Sequence, residues 1–142
     1  MGGVIKNNGN GYIINVGDSR AYHISRRNDA ISQITQDHSL VEELVEFGAI
    51  TKEQARTHPQ RNVITRALGS EAKVEADYYE FTLQNGDFLI LCSDGLSNIV
   101  SDLEMLEYAK DYPDPELLCQ SLMRKALNRG ARDNVTVVAV MK

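Results

Sequence analysis

Cysteine is scarce in this 142-residue chain: Cys92 and Cys119 are the only two, with no Cys-x-x-Cys pair and no histidine close by. That argues against a cysteine-based zinc site and reads both as buried, reduced thiols, one on an apolar strand and one on a helix. Long hydrophobic runs are missing as well. Phe88–Cys92 and Val135–Met141 are the longest, far short of the roughly 20 apolar residues that cross a bilayer as a helix. The N-terminus has no basic-then-apolar secretory layout, and Gly2 lacks the Ser/Thr that follows a myristoylated glycine. A cytoplasmic location away from the membrane is the default expectation. Basic residues form no run longer than a pair such as Arg26-Arg27 and the net charge is −5, so nucleic acid is not an expected partner. Neither a Gly-rich loop ending in Lys-Ser/Thr nor a Rossmann glycine pattern occurs, which sets a nucleotide-binding or kinase-like reading aside. There is no repeat, low-complexity stretch or Pro/Gly/Ser linker, and the length suits one core. Residues 1–142 therefore read as part or all of a single domain.

With 42% hydrophobic and 25% charged residues, the chain has the composition of a folded globular body. Tyr12–Val16 and Ala21–Ile24 are β-rich, joined by Gly17-Asp18-Ser19-Arg20 and preceded by the turn cluster Asn8–Gly11; residues 4–35 predict a β-meander. Two capping-box patterns, Ser39-Leu-Val-Glu42 and Thr51-Lys-Glu-Gln54, open short helices that predict a helical hairpin over the sheet. Alternation over Val74–Leu83 predicts a strand. A turn at Asn85-Gly86-Asp87 leads to Phe88–Cys92, apolar throughout and so expected to be buried on both faces. Ser101-Asp-Leu-Glu104 opens another helix. Asp114-Pro115 opens the next, which runs to Gly130 and carries Leu118, Leu122 and Ala126 on one stripe. Val135–Met141 closes the chain as a strand.

Three acidic residues sit where strands stop, among small or turn-forming neighbours: Asp18 in Val-Gly-Asp-Ser-Arg, Asp94 in Cys-Ser-Asp-Gly-Leu and Asp133 in Gly-Ala-Arg-Asp-Asn. Carboxylates gathered on one rim without Cys or His suit hard cations such as Mg²⁺ or Mn²⁺. Each alone is also an ordinary turn residue, since Asp before Gly or Asn favours turns on its own account.

Five segments in order resemble the C-terminal motifs of the PPM (PP2C-like) metal-dependent protein serine/threonine phosphatases of bacterial type. They are Asn15–Tyr22, Thr35–Ser39, Ile64–Gly69, Asp87 through Leu91-Cys-Ser-Asp-Gly-Leu96, and Gly130–Thr136. The resemblance covers the chain from about Tyr12 onward. It implies an α+β fold, an antiparallel β-sandwich flanked by helices, with two catalytic Mn²⁺ or Mg²⁺ ions holding a water that attacks phosphoserine or phosphothreonine. By motif match Asp94 and Asp133 resemble the aspartates of the catalytic pair, and Asp18 resembles the one that helps Asp94 hold a third, weaker metal. Asn134 is read as supporting Asp133, His38 as ordering a loop, and Arg20 and Arg66 as locking the scaffold. His23 and His58 are read as ordinary residues. Residues from about Phe47 to Arg61 match the family's variable flap beside the active site, where substrate preference is set.

The family's phosphate-gripping Arg, its Asn-Glu-Asp segment and its Asp-Gly-His-Gly motif have no counterpart in these residues. Residues 1–142 are thus expected to be a phosphatase domain incomplete at its N-terminus, with no catalytic residue assigned and activity of the isolated chain left open. Phosphoproteins are the expected substrate and a serine/threonine kinase the functional counterpart. Self-association through exposed sheet edges is a further expectation. The competing reading is a catalytically silent regulatory or interaction module that keeps the phosphatase fold.

Overall fold

The computed structural model describes every residue except Asn7, Glu71 and Arg132; Arg132 belongs to the Gly130–Thr136 motif, so that part of the motif lies outside the described residues. The element order is β1 (Gly2–Ile5), β2 (Asn10–Asn15), β3 (Arg20–Ser25), β4 (Ala30–Gln33), α1 (Leu40–Glu46), α2 (Lys52–Thr57), β5 (Asp77–Thr82), β6 (Phe88–Cys92), α3 (Asp94–Ser97), α4 (Asp102–Asp111), α5 (Pro115–Asn128) and β7 (Val137–Met141). The strands form two antiparallel sheets, β1-β2-β5 and β4-β3-β6-β7.

The predicted meander does not form, because β2 and β3 belong to different sheets. Gly17, at φ 108°, turns the chain between the layers instead of folding it back beside β2. Local β-propensity marks both strands but carries no information on which layer each joins.

Alternation along the strands explains both cores. On β6, Phe88, Ile90 and Cys92 pack on the helix side with Tyr22, Ile24, Leu118, Leu122 and Ala126. Leu89 turns the other way and packs with Ile13, Ala21, Phe81 and Leu83 between the sheets. An all-apolar strand is the result of this two-sided burial, with Leu91 only partly covered. Helix α5 starts at Asp114, whose side chain accepts from the Glu116 and Leu117 N–H groups, with Pro115 in the first turn. Its buried stripe of Leu118, Leu122 and Ala126 contributes on the order of 1.5–3 kcal/mol for each fully buried leucine. The box at Ser101 closes reciprocally with Glu104, and so does that of Thr51 with Gln54. At Ser39 only the first half forms, its side chain accepting from Glu42 N–H.

The helical hairpin is present, yet it hardly covers a sheet: α1 buries only Val41 and α2 buries nothing. Nor are both thiols buried. Cys92 is, and burial pushes it up to about 12, whereas Cys119 is half-buried near one flank of α5's apolar stripe. No helix of the described residues is long and apolar enough to cross a membrane.

The outer face of β1-β2-β5 has no helix of the described residues packed on it. There Val4 pairs with Tyr12, and Ile14 with Tyr78; Tyr78 is 76% and Val4 64% exposed.

Candidate metal and phosphate site

Register brings the three aspartates to one end of the sandwich. Arg20 pairs with Cys92 across β3 and β6, and Cys92 with Val137 across β6 and β7. The residues just before β3, just after β6 and just before β7 therefore emerge together. Asp18 occupies the interlayer turn and Asp94 opens α3, a four-residue helix not anticipated from the sequence. Asp133 lies in the loop before β7.

The Asp94 and Asp133 loops are stapled together. Ser93 N–H donates to Thr136 O at 3.1 Å, Ser93 Oγ donates to Asn134 O at 3.1 Å and Thr136 N–H donates to Ser93 Oγ at 3.0 Å. Gly95 makes the approach feasible, since a Cβ there would sit 2.4 Å from Asn134 O. Asp133 Oδ1 accepts the Asn134 N–H at 2.7 Å, which caps its own turn, and Asn98 Nδ2 donates to Asp94 Oδ2 at 3.4 Å.

Asp18 and Asp94 both line a cleft of about 900 Å³, together with Arg20, Asp37, Glu42 and Arg129. Burial pushes the Asp18 carboxyl above its ordinary value, and the negative charge of Asp94 pushes it further. Two carboxylates that repel across a cleft are relieved by a cation between them. Asp133 is exposed and does not line this cleft. Among the described residues no three His, Cys, Asp or Glu side chains group closely enough to hold a metal ion. The donors thus suit a hard divalent cation in kind, and their number supplies only part of its coordination shell.

The loop carrying Asp18 is held by His38, as expected. Gly17 N–H donates to His38 Nδ1 at 3.1 Å and His38 Nε2 donates to Asp77 Oδ2 at 2.9 Å, so the proton sits on Nε2. The arginines lock the scaffold: Arg66 Nη1 reaches Asp77 Oδ1 at 2.9 Å, and Arg20 forms a fork on Asp37 with Nε and Nη2 at 2.9 and 2.7 Å. His58 caps a local turn through Gln60 N–H. His23 is less ordinary than expected, since its Nε2 pairs with the buried Asp87 at 2.8 Å. The sequence offered no signal for that pair, which is 64 positions apart. Missed as well were Ser93, the staple between the two aspartate loops, and the basic residues of α2 that share the cleft, Lys52 and Arg56.

A two-layer antiparallel sandwich with helices outside and a carboxylate-lined cleft at the strand ends defines the class. The family model for protein phosphatase 2C matches residues 3–135, and the chain belongs to that family. It is 46% identical over 128 residues to the serine/threonine phosphatase stp of Listeria innocua, an alignment covering 90% of this chain and 50% of that one. The crystal structure of the Mycobacterium tuberculosis serine/threonine phosphatase PstP/Ppp superposes with a TM-score of 0.88 at 39% identity, over 99% of this chain and 58% of that one. A structure of the PstP catalytic domain in complex with two manganese ions superposes at 0.82 with 36% identity, over 96% and 55% of the two chains. The chain spans about half the length of the curated relatives it matches.

Proposed function

We propose that these residues form the C-terminal portion of a metal-dependent protein serine/threonine phosphatase, acting in the cytoplasm on phosphoproteins made by a serine/threonine kinase. The observation that carries this reading is the pairing of Asp18 and Asp94 in one cleft, with Asp18 destabilised as an anion. A phosphate monoester dianion entering beside two carboxylates meets net repulsion unless cations intervene. When bound, a pair of Mn²⁺ or Mg²⁺ ions supplies an activated water and neutralises the phosphate charge. Asp94 would serve that pair with Asp133, and Asp18 would join Asp94 on a third ion. Ser93, Gly95 and His38 hold those carboxylates in place through the contacts described above. Arg20 is already committed to Asp37, so it supports the cleft wall and leaves phosphate to other groups.

A second reading, a silent regulatory or interaction module, is favoured by one specific finding: no three potential ligands converge among the described residues. One experiment separates the two. Mn²⁺-dependent hydrolysis of a small aryl phosphate is measured for the 142-residue chain, alone and mixed with the complementary half of a relative's domain, with Asp94→Asn and Asp133→Asn as controls. Turnover that appears on mixing and disappears in both variants supports the phosphatase reading. A folded, assembled mixture without turnover leaves the silent module.

A further inference from the structure

The short helix α2 buries no residue, yet its N-terminus is closed by two reciprocal bonds, Gln54 N–H to Thr51 Oγ1 at 3.2 Å and Thr51 N–H to Gln54 Oε1 at 2.7 Å. Lys52 and Arg56, four positions apart on one face, both line the cleft that contains Asp18 and Asp94. Arg61 lines it too, its Nη1 lying 3.5 Å from Arg56 O at the end of the same helix.

These three cations differ from the other basic residues of the cleft. Arg20 is held by Asp37 and Arg129 by Glu104. The ion pairs among the described residues include none of Lys52, Arg56 and Arg61. Across the helical hairpin Glu42 also lines the cleft, its carboxyl raised by burial and by the charge of Asp37 and only partly drawn back down by Lys52. Carboxylates therefore reach the cleft from the strand ends, from Asp37, from Glu42 on α1 and from Asp102 and Glu104 on α4, whereas Lys52, Arg56 and Arg61, exposed and outside those ion pairs, reach it from α2 and the turn after it.

We propose that Lys52, Arg56 and Arg61 form a docking face for acidic residues that flank the phosphorylated residue of the substrate, selecting acidic phosphopeptides over neutral or basic ones. This rests on the phosphatase reading of the same cleft. The phosphate would enter between the aspartate loops while an acidic flank lies along α2. Exposed pairs of this kind discriminate through charge complementarity and encounter rate, and salt screens them.

The test compares two phosphothreonine peptides, one with acidic and one with neutral flanks, and a small aryl phosphate that has no flank. Binding of the peptides to the 142-residue chain is followed by fluorescence anisotropy, and kcat/KM is measured in the reconstituted mixture. The expected result is a preference for the acidic peptide of about tenfold, the size of two or three exposed ion pairs. It is abolished by Lys52→Glu/Arg56→Glu, reduced by Lys52→Gln/Arg56→Gln, and lost at about 0.5 M salt. Aryl phosphate turnover falls by a clearly smaller factor than acidic-peptide kcat/KM in both variants. Equal affinity for the two peptides overturns the proposal, and so does an equal loss on the aryl phosphate, which would make these cations a grip for the transferred phosphate itself. Absence of turnover on every substrate counts against the phosphatase reading, while the anisotropy ratio still decides the docking face.

Discussion

His38 and Asp77 meet through one hydrogen bond of 2.9 Å, Nε2 to Oδ2, across 39 positions of sequence. The opposite ring nitrogen takes the Gly17 N–H, next to Asp18, so one buried imidazole ties the interlayer turn to the first residue of β5. Arg66 and Tyr79 converge on the same Asp77 carboxylate. Removing the ring leaves the part-buried Gly17 N–H without its acceptor and Asp77 Oδ2 with only the longer Tyr79 hydroxyl bond at 3.3 Å. We predict that His38→Ala lowers unfolding free energy by about 2–3 kcal/mol, read by urea denaturation. It should also weaken Mn²⁺ binding in calorimetry, because Asp18 loses its anchor.

Gly95 meets a tighter constraint. With a Cβ only 2.4 Å from Asn134 O, Gly95→Ala must push the Asp133 loop off the Asp94 loop. Stability is expected to fall by about 1–3 kcal/mol, and Mn²⁺ affinity to fall with it. Wild-type metal affinity in Gly95→Ala would show that the loop separation plays no part in the site.

Acid should expose the charge-assisted bonds in order. The Arg129 guanidinium holds Glu104 down at about 2 against an ordinary 4.5, and His38, with Arg66, holds Asp77 below its usual range. Both are depressed carboxylates, so their stabilisation is complete above the unfolded pKa and is lost as pH falls through the folded one. For Glu104 the window runs from about 4.5 down to about 2. Arg129→Met should flatten the pH dependence of thermal unfolding in that window and leave neutral-pH slopes alone.

The Asp18–Asp94 repulsion makes the opposite sign. Asp18→Asn removes a carboxylate that burial and Asp94 both disfavour, so the metal-free chain should gain about 1–4 °C in Tm. With saturating Mn²⁺ the order should reverse, since the wild type alone gains from the ion at that position. Differential scanning calorimetry with and without Mn²⁺ reads both arms.

The bare outer face of β1-β2-β5 gives a final prediction. Val4, Tyr12, Ile14 and Tyr78 expose contiguous apolar surface, and β1 and β7 are unpaired sheet edges among the described residues. The chain alone is expected to self-associate at micromolar concentration. Tyr78→Lys combined with Val4→Lys should shift sedimentation towards the monomer; unchanged sedimentation would move the contact to the edges.

Much of this architecture was legible because its signals are local. Asp114-Pro115, Ser101 with Glu104, and Thr51 with Gln54 cap the helices they were expected to cap, and the Leu118–Leu122–Ala126 stripe is the buried one. The assignment of β2 and β3 to separate layers was not legible, since it depends on a glycine turn whose direction no propensity encodes. For the site, strand-end aspartates were visible as residue types in the right places. Their neighbourhood was not: the Ser93 staple, the Gly95 contact and the His23–Asp87 pair join residues far apart in sequence. The cleft wall made by α2 was equally hidden, because exposed cations on a short helix look the same whether they face solvent or a ligand.

Gly17 carries the chain from one sheet to the other in the very turn that presents Asp18, while Asp94 opens α3 directly after β6, the strand that pairs with β3. The spacing of the two carboxylates is therefore tied to the register of β3 on β6, in which Arg20 stands opposite Cys92. Tyr22, Ile24, Phe88 and Ile90, which pack together on that strand pair without lining the cleft, support that register from a distance. A metal titration on this protein reports on its core as much as on its ligands.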